Sequence, residues 1–280
     1  MRLDTSDHDR SSAGLEYVYP VVSRRAGGVS IGVNLNPNKA CNWRCIYCQV
    51  PGLVLGKGPT IDLAQLEREL EGLLREARTR AWLERHVPEE AARHLRDVAL
   101  SGDGEPTSSP SFAGAVDTIA RVLARLGLEL PIVLITNGSL VHKPEVQRGL
   151  VALARAGGAT WFKLDSATTA GLRAVNSSAV GPERTLENLA ACARACPTWI
   201  QTCMFLRRGE APSARERTAY LGFLRATRER RIELRGVQLY TLARPSHQPE
   251  APELAPLPRA WLEALGAEVE ALGLGVSVHS

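Results

Sequence analysis

The sequence predicts an α/β protein, a partial (β/α)6 TIM-like barrel with parallel strands and outer helices. Three observations predict it. Short β-rich runs alternate with helical stretches from residue 29 onward, and the helical stretches carry apolar residues at three- and four-residue spacing. Every segment of unusual composition falls just after one of the β-rich runs. Strand then helix, repeated, calls for a parallel sheet covered by helices. Right-handed crossovers leave an open doubly wound sheet or a barrel-like array. Six such units resemble a barrel short of the full eight.

The strands are expected at "SIGVNLN" (30–36), "DVALSG" (97–102), "PIVLITNG" (131–138), "TWFKLD" (160–165), "TWIQTCMF" (198–205) and "GVQLYTLA" (236–243). A short run, "LGVSVHS" (274–280), follows as the last. Leu63, Leu66, Leu70, Leu73 and Leu74 form one helical stripe, and Leu186, Leu189, Ala190 and Ala193 another. The connection 55–96 reads as two helices broken near "HVPEE", an elaborated crossover. Residues 1–28 are expected to be a polar leader and lead-in segment, and 29–280 a single barrel domain.

The 280 residues are 44% hydrophobic and 23% charged, which suits a globular enzyme. The longest apolar run, "LPIVLIT", is too short to span a bilayer, so no membrane is expected. "MRLDTSDHDRSSAG" has no apolar core and does not read as a signal peptide; a disordered leader on a cytoplasmic protein is expected. Net charge is +4, and residues 206–235 hold nine arginines against four glutamates. That stretch reads as the solvated face of a helix, with an RNA-facing surface as the alternative.

Three of the six cysteines, Cys41, Cys45 and Cys48, fall in "ACNWRCIYCQV" after the first strand. A structural zinc site closes with four protein ligands, and no fourth cysteine is near. A [4Fe–4S] cluster that only carries electrons needs a thiolate on every iron. Three thiolates leave one iron open to bind a substrate or cofactor. Zinc, or thiols without a metal, is the competing reading. Cys192 and Cys196 share a helix face with Leu189 and point into the core, and the next strand carries Cys203 far from them. Buried inert thiols are expected there, with Cys203 sharing strand parity with Gln201 and lining a cavity as a hydrogen donor.

C-x3-C-x2-C with an aromatic before the last cysteine, here Tyr47, resembles the signature of the radical S-adenosylmethionine (SAM) superfamily. The resemblance implies that Cys41, Cys45 and Cys48 hold the cluster, whose open iron chelates the methionine part of SAM. One electron then cleaves SAM to a 5′-deoxyadenosyl radical, which abstracts hydrogen from a substrate. It also implies a flavodoxin- or ferredoxin-type electron donor. "SGDGEPT" (101–107) is similar to the family's glycine-rich loop, so Gly102, Asp103, Gly104 and Glu105 would bind the methionine amino group. Asp103 stands where glycine is commoner, and a plain strand-to-helix turn is the other reading. Lys163 and Asp165 lie two apart on a strand and so on one face. Asp165 would accept from ribose hydroxyls and Lys163 would pair with a carboxylate, unless the two make a structural ion pair. Asn137 is a cofactor-binding candidate, and Asn176 is similarly placed; both also suit turns.

"YVYPVVSRRAGGVSIGVNLNPNKACNWRCIYCQ", "LITNGSL", "KLDSAT" and "ARP" resemble, in order, the wyosine-synthase-related branch over roughly residues 17–245. That branch carries upstream cysteines for a second cluster. Residues 1–40 here contain none, and Lys39 is their only lysine. The substrate is therefore expected to differ, an RNA base or a small metabolite. A glycyl-radical activase or other protein-modifying radical enzyme is one alternative. A zinc-stabilised RNA-binding module is another.

Overall fold

The computed structural model describes residues 2–5 and 13–280. The chain divides into two compact units. Unit 1 comprises residues 1–42, 56–135 and 145–159; unit 2 comprises 43–55, 136–144 and 160–280.

Unit 1 begins with a hairpin that the β-rich runs did not reveal. Strand β1 (Val18–Ser23) lies antiparallel to β2 (Gly28–Val33). The turn between them passes through Gly27 at φ +70°, a conformation that costs glycine little. Pro20 fits because β1 pairs along only one side here, leaving a position where no ladder donor is needed. Helices α1 (Leu63–Ala77) and α2 (Arg80–His86) precede β3 (Leu95–Leu100), which is parallel to β2. Asp62 caps α1 by accepting from the N–H groups of Ala64 and Gln65. Leu66, Leu70, Leu73 and Leu74 are its buried stripe, as the leucine spacing predicts. The helix break falls at Arg78–Thr79, where Thr79 caps α2, and not near "HVPEE". That segment ends α2 because Pro88 has no N–H to extend it, and a single 3-10 turn (Glu90–Ala92) follows.

Helix α3 (Phe112–Leu126) stops at Gly127 in the left-handed conformation. Strand β4 (Ile132–Thr136), parallel to β3, and helix α4 (Pro144–Arg155) follow. The disordered leader expected over 1–14 lies partly outside the described residues. Among those described, Leu3 is buried and its N–H donates to His86 C=O at 2.7 Å, so this part of the leader is docked.

Unit 2 holds β5 (Ala159–Lys163), helices α5 (Thr169–Asn176) and α6 (Pro182–Ala195), and β6 (Thr198–Cys203). Helix α7 (Ala214–Glu229), β7 (Gly236–Tyr240), α8 (Arg259–Glu270) and β8 (Val276–His279) complete it. Its strands pair in parallel in the order β5, β6, β7, β8. Register places Lys163 beside Gln201, Gln201 beside Gln238, and Cys203 beside Tyr240. The alternate residues Phe162, Ile200, Val237 and Leu239 are fully buried apolar positions. Within each unit, the loops of unusual composition follow the C-terminal ends of parallel strands, where parallel α/β folds place their sites.

Candidate cluster and cofactor site

The six cysteines fall into two groups. Cys41, Cys45 and Cys48 are half-buried, whereas Cys192, Cys196 and Cys203 are buried, and none of the six is in a disulfide. Cys192 is on the buried side of α6 with Leu186 and Leu189. Cys196 ends that helix as its C-cap, and Cys203 ends β6. Burial pushes the Cys196 thiol up to about 11.

The segment carrying Cys45 and Cys48 is fastened along its length within unit 2. The N–H groups of Arg44 and Ile46 donate to the carbonyls of Asn176 and Val175, at 3.2 and 2.8 Å. Ser246 Oγ shares its one proton between the carbonyls of Ile46 and Cys48, at 2.8 and 3.0 Å, and His247 N–H donates to Cys48 C=O at 2.9 Å. Arg44 makes a two-pronged bond to Glu250, at 2.9 and 2.7 Å.

Beside Cys45 lies a buried polar knot. Tyr47 Oη donates to Asp165, and Lys163 Nζ donates to Tyr47 Oη at 2.5 Å. Asn176 Nδ2 donates to Asp165 Oδ2 at 2.8 Å and to Cys45 Sγ at 3.2 Å. The N–H of Cys203 donates to Asp165 Oδ1 at 3.1 Å. The Asp165 side chain is fully buried, and Lys163 Nζ stands 3.8 Å from it. Burial is the largest single effect and disfavours the Lys163 charge, but Asp165, Tyr240, Cys45 and Cys203 together outweigh it and hold the ammonium protonated well above the usual lysine range. Burial, reinforced by Asp165, likewise lifts the Tyr47 hydroxyl well above the usual tyrosine range. Burial pushes the Cys45 thiol up to about 12, with Lys163 and Asn176 pulling the other way. The rings of Tyr47 and Phe205 pack 5.5 Å apart.

A cavity of about 390 Å³ opens in unit 2, with Asp165 and Cys203 on its wall beside Val175, Met204, Phe205 and Tyr220. Asn137, in the loop after β4, accepts from Ser139 N–H at 3.0 Å and Ser139 Oγ at 2.7 Å, the bonding of a turn former.

In unit 1 the glycine loop leans on the segment that leads to Cys41. A Cβ on Gly104 would lie 2.1 Å from the Ala40 carbonyl oxygen, so only glycine permits this approach. Gly102, at φ +140°, faces Asn34 in the same way. Asn34 clasps Asp103 from two sides: its Oδ1 accepts the Asp103 N–H at 3.1 Å, and its Nδ2 donates to Oδ2 at 2.7 Å. Glu105 accepts from Thr107 Oγ1 at 2.6 Å and from its N–H at 3.2 Å, capping a short 3-10 turn. Asn36 Nδ2 donates to Ala40 C=O at 2.8 Å. Asn34 and Asn36 escaped the sequence reading, although "NLNPN" directly before the cysteines was a visible cluster of side chains able to bond nearby backbone.

Among the described residues, no three His, Cys, Asp or Glu side chains form a group that could hold a metal ion as they stand. A cubane takes its thiolates on separate irons, so its ligands stay apart where those of a single ion converge. Soft thiolates in a fastened loop fit an iron–sulfur cluster by their chemistry. The arginines of 206–235 are in part ion-paired: Arg207 and Arg208 to Glu253, Arg217 to Glu268, and Arg230 to Glu183. No helix among the described residues is long and apolar enough to cross a membrane.

The family model described as "Radical SAM superfamily" matches residues 35–219, and the chain belongs to that family. A UPF0026 protein of Helicobacter pylori is 30% identical over 136 residues, 47% of this chain and 37% of that protein. The curated relatives are matched over only 17% to 37% of their own length. A radical SAM methyltransferase from Sphaerobacter thermophilus aligns with a TM-score of 0.54 at 16% identity, covering 90% of this chain and 66% of that one. The structure described as anSMEcpe with bound AdoMet aligns at 0.52 and 17% identity, covering 89% of this chain and 63% of that one. These likenesses establish the fold, the α/β partial barrel that the alternating runs predict.

Proposed function

We propose that the protein is a radical SAM enzyme that cleaves SAM reductively and acts on an RNA base or a small metabolite. The observation that carries this reading is the division of the cysteines. The three in C-x3-C-x2-C are half-buried, and the other three are buried in the core. Cys41, Cys45 and Cys48 would hold a [4Fe–4S] cluster with one iron open. When bound, the cluster and SAM supply an electron transfer that yields a 5′-deoxyadenosyl radical able to take hydrogen from a substrate.

The protein's own part is to bind, orient and exclude water. Gly102, Asp103, Gly104 and Glu105 would present backbone groups to the methionine amino group, a role for which the fit of Gly104 against Ala40 supplies support. Tyr47 would hold the cofactor's edge of the cluster loop, with its hydroxyl fixed between Lys163 and Asp165. Asp165 spends three acceptor positions on Tyr47, Asn176 and Cys203, and a carboxylate has about four, leaving one for a ribose hydroxyl. The neighbouring cavity is of the size small cofactors take, and Val175, Met204 and Phe205 give it apolar walls suited to a purine face. Asn137 is assigned to the cofactor as well. Lys163 and Cys203 would face the substrate, the first pairing with an anionic group and the second giving hydrogen. A flavodoxin- or ferredoxin-type protein would supply the electron, and the cytoplasm would be the compartment.

The test is anaerobic reconstitution with iron and sulfide, followed by electron paramagnetic resonance of the reduced protein with and without SAM. Four irons per chain and a spectrum changed by SAM are expected. Zinc uptake without iron would overturn the reading and favour a metal-stabilised binding module.

A further inference from the structure

Cys45 is held by one helix end. A helix leaves its last carbonyls without partners inside the helix, and at the end of α5 those of Val175 and Asn176 accept the N–H groups of Ile46 and Arg44. Both neighbours of Cys45 are thus fixed to the same turn. Ser177, which ends the helix at φ +53°, adds a bond from its Oγ to Arg44 C=O at 3.1 Å. The side chain of Asn176 then reaches the thiol itself, with Nδ2 3.2 Å from Cys45 Sγ and 2.8 Å from Asp165 Oδ2. The orientation of this amide is forced, because a carboxylate only accepts and so must face the NH₂ group. Among the described residues, its Oδ1 is buried with no hydrogen-bond partner. A buried polar atom left unpaired costs stability, so the amide is positioned for its donors. Asp165 is in turn fixed by Tyr47 and by the Cys203 N–H, so the NH₂ group is held on the sulfur.

We propose that Asn176 is a positioning residue that donates a hydrogen bond to the Cys45 thiolate and thereby raises the reduction potential of the cluster. The inference rests on the cluster assignment made above. A hydrogen bond to a cluster thiolate draws off electron density and favours the reduced, more negative state. Val175, Asn176 and Ser177 therefore divide the work. Their backbone and hydroxyl groups locate the loop, and the Asn176 amide tunes the sulfur.

The test uses reconstituted full-length protein in a mediator-poised redox titration followed by electron paramagnetic resonance. Asn176→Ala, and Asn176→Ser whose hydroxyl is too short to reach the sulfur, are expected to move the midpoint to more negative potential. Ser177→Ala, which removes only a loop contact, is expected to leave it in place. Equal potentials in wild type and both Asn176 variants would overturn the proposal, as would an equal shift in Ser177→Ala. A second readout needs no iron. In nitrogen-15-labelled apoprotein the Asn176 side-chain NH₂ signal, identified by its loss in Asn176→Ala, is expected to shift in Cys45→Ala. An unmoved signal would overturn the contact. Wild-type protein that takes up no iron would instead overturn the cluster assignment, and the NH₂ signal would still decide the contact.

Discussion

Cys45 and Cys192 are both cysteines of unit 2, and both touch a polar side chain. Cys45 Sγ receives the Asn176 amide at 3.2 Å, whereas Cys192 Sγ lies 3.5 Å from the Thr198 hydroxyl, which donates to Cys196 C=O at 2.8 Å. Their surroundings differ in kind. Cys192 has no exposure and sits on the apolar face of α6, where a thiol serves as a small hydrophobe. Cys45 is half-buried in a loop without regular structure, and the bonds around it come from α5, from residues 244–250 and from the Lys163–Asp165 pair. The core fixes one thiol as a by-product of packing. The other packs on one side against Ile46, Tyr47, Cys203 and Phe205 and is held on the other by a dense set of hydrogen bonds, which suits the cluster-binding role proposed for it.

Mutations sharpen the contrast in descending order of effect. Cys45→Ala is expected to abolish both iron retention and 5′-deoxyadenosine formation, as measured by iron analysis and chromatography. Gly104→Ala comes next. Its new Cβ would meet the Ala40 carbonyl at 2.1 Å, a backbone atom that cannot move cheaply. A loss of about 2–3 kcal/mol of stability is expected in thermal or urea unfolding, with weakened SAM binding in equilibrium dialysis. Cys192→Ala should cost about 1–2 kcal/mol through the small cavity it leaves, with iron content and SAM cleavage unchanged. Loss of iron in that variant would break the comparison. Glu250→Gln weakens the two-pronged bond to a partly exposed Arg44, worth about 0.5–1 kcal/mol. Its expected effect is a modestly faster loss of the cluster in air, followed by visible absorbance.

Much of this was legible in the sequence because the signals were local. The strands beginning at Leu95, Ile132, Ala159, Thr198, Gly236 and Val276 fall within or beside the β-rich runs that predicted them. The stripe from Leu66 to Leu74 needed only a 3.6-residue period. The hairpin strand Val18–Ser23 was hidden because Pro20 reads against a strand unless its edge position is known. The break between α1 and α2 was misplaced because Pro88 is a louder signal than Thr79, although the threonine caps the second helix.

The site was legible in its residues and not in its bonds. Tyr47 and Asp165 are 118 positions apart, and Arg44 and Glu250 are 206 apart. No periodicity links such pairs, so the bond from Asp165 to Tyr47 had no local sign. Asn176 was legible as a polar site candidate that also suited a turn. It does end a helix, but its amide also faces a cysteine 131 positions earlier, which only the fold discloses.

The central claim is that the half-buried cysteines, and not the buried ones, hold the cluster that cleaves SAM. The most direct test is to reconstitute wild type, Cys45→Ala and Cys192→Ala anaerobically, reduce each with SAM present, and quantify 5′-deoxyadenosine. Product from wild type and Cys192→Ala, with none from Cys45→Ala, is the predicted result. Equal product from Cys45→Ala, or its loss in a folded Cys192→Ala, would contradict the account.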